Sequence, residues 1–142
     1  MNKKGFTLIE LLAVIAILAI LIVLAVPNIL SIFQDSKDRA LRTQAQSIYK
    51  SAEQRYMQNS LNGKSILKYC NSGTDAGSNK LDLEGAGVSY YVEFNASGKI
   101  VKIQVKDLDN RFVSAESTSG VDISSLSTAT IAASGTVSSC SN

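Results

Sequence analysis

Few residues in this chain are of types that could do chemistry, and the most demanding of them is a carboxylate. Glu10 lies inside an apolar run from Phe6 to Val26 in which Thr7 is the only other polar residue. An acidic side chain near the centre of a membrane span costs roughly 3 kcal/mol, so something must compensate for Glu10. Histidine is absent, which removes the usual general base, the usual partner of a nucleophile and the commonest metal ligand. No catalytic residues, no metal and no cofactor are therefore expected, and no glycine-rich phosphate loop appears. Cys70 and Cys140 are the two cysteines. In an exported domain such a pair reads as a disulfide, and in the cytosol as two free thiols. Asp107-Leu108-Asp109-Asn110 has acidic spacing that could touch calcium, but it lacks the full loop of an EF-hand and reads as a solvated turn. Asn95-Ala96-Ser97 matches a glycosylation sequon in residue types that a hairpin needs anyway. Tyr90 and Tyr91 read as sheet packing rather than a ligand platform.

These residues need elements to hold them. A helix over Phe6–Val26 would reach ~30 Å, about the thickness of a bilayer's hydrocarbon core. Lys3 and Lys4 precede it, and the positive-inside rule puts them in the cytoplasm with the rest of the chain outside. A secretory signal peptide is the alternative. It is disfavoured because no small-x-small cleavage site closes the run, Pro27 follows directly and Glu10 interrupts the apolar start. Pro27 cannot donate a backbone hydrogen bond, so a kink or loosening is expected there. Helical periodicity resumes beyond it. Ile29, Ile32, Phe33, Ser36 and Ala40 form one stripe, and Leu41, Ala45, Ile48, Ala52 and Tyr56 form an adjoining one. The amphipathic helix should end at Asn62-Gly63, and with the apolar part it could run ~85 Å. A helix of that length needs lateral partners.

Lys64 to Gly87 reads as a loop region lying against the helix. The period then changes to two. Val88, Tyr90, Val92 and Phe94 alternate with Ser89, Tyr91, Glu93 and Asn95, and Val101, Ile103 and Val105 alternate with Lys102, Gln104 and Lys106. Ala96-Ser97-Gly98 makes the hairpin connection, and Arg111 to Ala115 a third strand. The tail from Ser114 is rich in Ser, Thr, Ala and Gly, yet Val121, Ile123, Leu126, Ile131 and Val137 are spaced as short extended pieces against a core, with a fourth strand around Ala129 to Ala133. If Cys140 pairs with Cys70, the bridge closes a loop of ~70 residues, and the chain-entropy treatment gives it about 4 kcal/mol. The expected class is α+β: a long N-terminal helix, half apolar enough to span a membrane and half amphipathic, packed on a small antiparallel sheet.

Gly5-Phe6-Thr7-Leu8-Ile9-Glu10-Leu11, after a short lysine-bearing leader and before an apolar run ending at Pro27, resembles the N-terminus of bacterial type IV pilins, with a leader short enough for the type IVa class. The likeness covers about the first third of the chain by motif and the rest by architecture. It implies that a prepilin peptidase cuts between Gly5 and Phe6 and N-methylates Phe6. It also implies extraction from the inner or cytoplasmic membrane by an assembly platform with an ATPase, and polymerisation into a helical filament of identical subunits. The implied divisions are a leader at 1–5, a hydrophobic helix at 6–27, an amphipathic helix at 28–62 and a head at 63–142. The physics of the residues fits. A new amine at Phe6 would ordinarily titrate near pH ~8, and in hydrocarbon it and Glu10 each need the other. Glu10 would meet the amine of a neighbouring subunit, neutralising both and setting the stagger.

A cut after Gly5 removes Lys3 and Lys4, so 14 basic side chains become 12 and balance the 12 acidic ones. Strong nucleic-acid binding is not expected of a neutral chain. The first expectation is therefore a pilin for adhesion, twitching motility or biofilm contact, anchored in the membrane as a precursor and displayed on the cell surface once assembled. A pseudopilin of type II secretion or a competence pilin shares the motif, and calcium near Asp107 or Asp109 would favour the pseudopilin. A membrane-anchored surface binding protein that never polymerises would keep Met1 or Asn2.

Overall fold

A computed structural model describes residues 5–72, 79–83 and 87–140. Lys3 and Lys4 of the expected leader, and segments 73–78 and 84–86 of the expected loop region, lie outside the described residues. The first element, α1, spans Leu8–Leu61. The chain falls into two units divided between Lys37 and Asp38.

In the first unit the apolar side chains from Phe6 to Phe33 are exposed all round the helix, as expected of a segment whose partners are lipid or other helices. Pro27 lies inside α1, and the helix runs on through it. The stripe begun by Ile29, Ile32 and Phe33 is likewise uncovered.

In the second unit the helix buries one face. Leu41, Ala45, Ile48, Tyr49 and Ala52 are buried, and Tyr56 packs beside them. Spacings of three and four, plus Tyr49 on the adjoining row, define that stripe. Its end has a physical cause. Gly63 takes a φ of 72°, its N–H donates to the Ser60 carbonyl at 3.0 Å, and the Lys64 N–H reaches the Asn59 carbonyl at 2.8 Å. That pair of bonds is a Schellman cap, and glycine adopts its left-handed residue without strain.

Among the described residues five antiparallel strands form one sheet in chain order: β1 Lys68–Cys70, β2 Ser89–Phe94, β3 Ile100–Lys106, β4 Phe112–Glu116 and β5 Ile131–Ala132. The row Tyr69, Val92, Ile103, Ala115 and the row Tyr90, Val105, Val113, Ile131 run across the sheet, and all eight residues belong to the core that contains the helix stripe. Flanking the first of these rows, on the opposite face, Lys68, Glu93, Lys102 and Glu116 alternate in sign from strand to strand. Opposite charges on directly facing residues contribute a few tenths of a kcal/mol to about 1 kcal/mol each.

Several expectations need correcting. β1 falls inside the stretch read as loop; at three residues it is too short for a period of two to show. Val101 does not join the core. The pairing shifts between Glu93 and Phe94, so Lys102 faces Glu93 while Ile100 faces Phe94, and Ile100 is 1% exposed. This β-bulge inverts the alternation at the start of the strand. The third strand starts at Phe112 rather than Arg111. The tail holds a short helix, α2, at Ile123–Thr128 in place of an extended piece. Asp122 caps it by accepting the Ser124 N–H at 2.7 Å, and Leu126 plugs the core.

Tyr91 departs furthest from its expected place. Alternation puts it on the polar face, yet it is 5% exposed and clusters with Cys70, Cys140 and Val137. Residues 133–140 account for this: they cross the outer face of the sheet as a strap. The Ser138 N–H donates to Gln104 Oε1 at 2.9 Å, the Cys140 N–H donates to the Ser72 carbonyl at 2.9 Å, and Cys140 is joined to Cys70 by a disulfide with the Cα atoms 6.0 Å apart. Gly135 crosses so close to Phe112 that a Cβ there would overlap the ring. The sheet thus buries side chains on both faces, one under the helix and one under the strap.

Candidate processing and assembly site

Gly5, Phe6, Thr7 and Glu10 sit together at the start of α1. Gly5 has open space where a side chain would project, and Phe6 is 88% exposed. The backbone at the expected cut is therefore uncovered, non-helical chain immediately before a helix. The helix begins one residue after Thr7 because Thr7 caps it. Thr7 Oγ1 accepts the Glu10 N–H at 3.3 Å, while Glu10 Oε2 accepts both the Thr7 N–H and the Thr7 hydroxyl at 2.8 Å. Threonine at the cap with glutamate three residues on, each satisfying the other's backbone donor, is a capping box. Its signal is legible as Thr-x-x-Glu ahead of an apolar run. The box offsets part of the cost of Glu10, since a carboxylate among apolar residues is here locally supplied with two donors.

α1 is long and apolar enough to cross a membrane, and none of its most apolar stretch is buried within the chain. Pro27 lies at the far end of that stretch, well along the helix from the Thr7–Glu10 group. Cys70 and Cys140 belong to the second unit.

Residues 1–26 match the family model described as the prokaryotic N-terminal methylation motif. That motif is the hallmark of type IV pilin-like prepilins. It spans the expected leader, the Gly5–Phe6 bond, the capping box and the apolar run, and it implies processing by a prepilin peptidase and assembly into pilus-like filaments. No curated protein and no solved structure matches the chain. The α+β fold described above is that expected of a type IV pilin.

The remaining candidates have structural employment. Both Asp107 oxygens are taken by Arg111: Oδ1 by its backbone N–H at 2.9 Å, and Oδ2 by Nε at 3.0 Å and Nη2 at 2.7 Å. Arg111 Nη1 also bonds Asp38 on α1 at 2.9 Å. Among the described residues no group of three or more Cys, Asp or Glu could hold a metal ion. Asn95 Oδ1 accepts the N–H groups of Ser97 and Lys99 at 3.0 and 2.9 Å, which shapes the hairpin turn, and Gly98 completes it at φ 76°. The Tyr90 hydroxyl accepts the Leu81 N–H at 2.7 Å. The Tyr91 hydroxyl donates to Glu93 at 2.9 Å, and burial, reinforced by that carboxylate, pushes its pKa up to about 12. Burial likewise raises Tyr49, Tyr69 and Tyr90 above the ordinary value. Sequence reasoning missed Arg111 as the tie between the β3–β4 turn and α1, because a lone arginine at a strand end gives no sign of its partners.

Proposed function

We propose that this chain is a structural pilin. The leader 1–5 is removed between Gly5 and Phe6, Phe6 is N-methylated, and residues 6–27 serve first as a membrane anchor and then as filament core. Residues 28–62 continue as the amphipathic helix, and 63–142 form the displayed head. The observation that carries this reading is the Thr7–Glu10 capping box at the mouth of an uncovered apolar helix, within a matched methylation motif. Thr7 engages Glu10 Oε2, which leaves Oε1 to receive the positive amine of Phe6 from an incoming subunit. In a low-dielectric surround that pairing is favourable only with good geometry, and a carboxylate already aimed by its cap meets that condition.

In this reading the precursor sits in the cytoplasmic membrane with its head outside. A platform with ATPase machinery moves it into a surface filament that serves adhesion, twitching motility or biofilm contact. A pseudopilin or competence pilin is the second reading, but the commitment of Asp107 to Arg111 speaks against the calcium site that would favour a pseudopilin. The test is mass spectrometry of the N-terminal peptide from cell-surface material. A peptide beginning at methylated Phe6 is expected, whereas recovery of intact Lys3-Lys4-Gly5-Phe6 would favour the non-polymerising binding protein and sink the pilin.

A further inference from the structure

The hairpin turn between β2 and β3 holds more chemistry than its shape requires. Asn95 closes it with backbone and side chain together. Its N–H donates to the Lys99 carbonyl at 2.9 Å and its carbonyl accepts the Gly98 N–H at 3.0 Å, while Oδ1 accepts the N–H groups of Ser97 and Lys99 at 3.0 and 2.9 Å. That is an Asx turn, a shape that an aspartate oxygen would hold equally well. Ser97 contributes only its backbone N–H, which any residue but proline supplies. The turn therefore accounts for the oxygen of the Asn95 amide, and for neither its nitrogen nor the Ser97 hydroxyl. Among the described residues neither Asn95 Nδ2 nor Ser97 Oγ has a hydrogen-bond partner, and Ala96 and Ser97 are exposed.

Those two unassigned groups are the ones that an asparagine-linked saccharide needs. Its acceptor is the amide nitrogen of Asn in Asn-x-Ser/Thr, with x other than proline, on a surface loop of an exported domain. Asn95-Ala96-Ser97 is the sole stretch of the sequence with that pattern, and it stands at a hairpin apex rather than within a strand or helix. Export is supported by the Cys70–Cys140 bond, since disulfides persist in oxidising compartments. The turn also prepares the amide. Two N–H donors at Oδ1 stabilise negative charge on that oxygen, which eases the loss of a proton from Nδ2.

We infer that Asn95 is the acceptor of an N-linked saccharide. The donor class is a saccharide carried on a polyprenyl diphosphate, and the catalyst is a membrane transferase on the side of the exported head. Nδ2 attacks the anomeric carbon of the first sugar, so that an N–C bond forms as the bond from that carbon to the diphosphate oxygen breaks. One Nδ2 proton passes to a base of the transferase, the polyprenyl diphosphate leaves with the electron pair, and nothing is oxidised or reduced. The Ser97 hydroxyl, free of the turn, is the group by which the transferase recognises the acceptor.

This modification needs an exported head but no filament, so its test is separate from that of the pilin reading. The full chain is purified from the cells that naturally produce it and digested with trypsin, which releases residues 81–99 as one peptide containing Asn95. Mass spectrometry should find that peptide heavier by a saccharide, with sugar fragment ions and with the added mass placed on Asn95 by electron-transfer fragmentation. The added mass should be lost in Asn95→Gln and in Ser97→Ala, which keeps the backbone donor of the turn, and should remain in Ser97→Thr. An intact Cys70–Cys140 bond in each variant verifies that the head has folded. A native peptide of unmodified mass would overturn the assignment. So would a saccharide that survives Asn95→Gln, which would be O-linked, or one that survives Ser97→Ala. Methylation of Phe6 is scored in the same digests: bare Asn95 beside methylated Phe6 sinks the saccharide alone, and a saccharide beside unmethylated Phe6 sinks the pilin alone.

Discussion

Two stretches of the same helix follow opposite rules. Residues 8–37 are apolar around most of their circumference and bury nothing within the chain, whereas from Asp38 to Leu61 the helix keeps most of its apolar residues to one stripe and covers them with the sheet. The first stretch is unfinished as a monomer and stable only in lipid or among other helices. The second is complete in itself, since its partners are strands of the same chain. On the pilin reading, oligomerisation and folding fall to different parts of one element, and a substitution in either part should disturb one process and spare the other.

The largest expected effect tests that separation directly. Glu10→Ala should abolish most filament assembly while the precursor still reaches the membrane with its Cys70–Cys140 bond formed; surface filaments counted by electron microscopy at the normal level would break the comparison. Next in size is the head. Replacing Cys70 and Cys140 together by serine should lower head stability by about 4 kcal/mol, measured by denaturant unfolding, with membrane insertion unaffected. A paired experiment on the helix follows. Leu41→Ala, at a site 1% exposed, should cost about 2–5 kcal/mol in head unfolding, while Leu18→Ala, half exposed in the other stretch, should leave head unfolding unchanged. Equal effects of the two would mean that the stretches are not independent.

The smallest effect appears in alkaline solution. Tyr49, Tyr69, Tyr90 and Tyr91 have folded pKa values above their ordinary 10.0. Between the unfolded and folded values the native head binds more protons, so its stability holds up to about pH 10 and falls above it. Tyr91, at about 12, keeps contributing to that fall up to the highest pH. Tyr91→Phe should flatten the decline in a series of unfolding midpoints taken from pH 9 upward, and an unaltered slope would show that the strap does not shield the phenol.

How much of the molecule is legible in its sequence depends on how far each signal repeats. The apolar run and the lone Glu10 are visible because twenty-odd residues without relief leave few interpretations. The helix stripe through Leu41, Ala45, Ile48 and Ala52 is visible because its spacing recurs over several turns, and the alternation of β2 because it lasts six residues. The features that escape are short or non-local. β1 and β5 hold three and two residues and exist because longer neighbours offer them hydrogen bonds. α2 is built largely from serine and threonine, poor helix formers, and depends on the Asp122 cap and the burial of Leu126. The bulge that exchanges Val101 for Ile100 depends on pairing, which no single strand encodes. At the N-terminus the pair Thr7 and Glu10 is legible as spacing, but its two-way hydrogen bonding requires coordinates.

The bond between Cys70 and Cys140 makes a covalent ring of the chain between them. β2, β3, β4, α2 and β5 lie on that ring, and α1 lies outside it. A single protease cut anywhere between the two cysteines would open the ring without detaching a fragment, and the nicked head would keep its mass until a reductant was added. Exposed segments of the head can therefore suffer a single break without the protein shedding any part of itself.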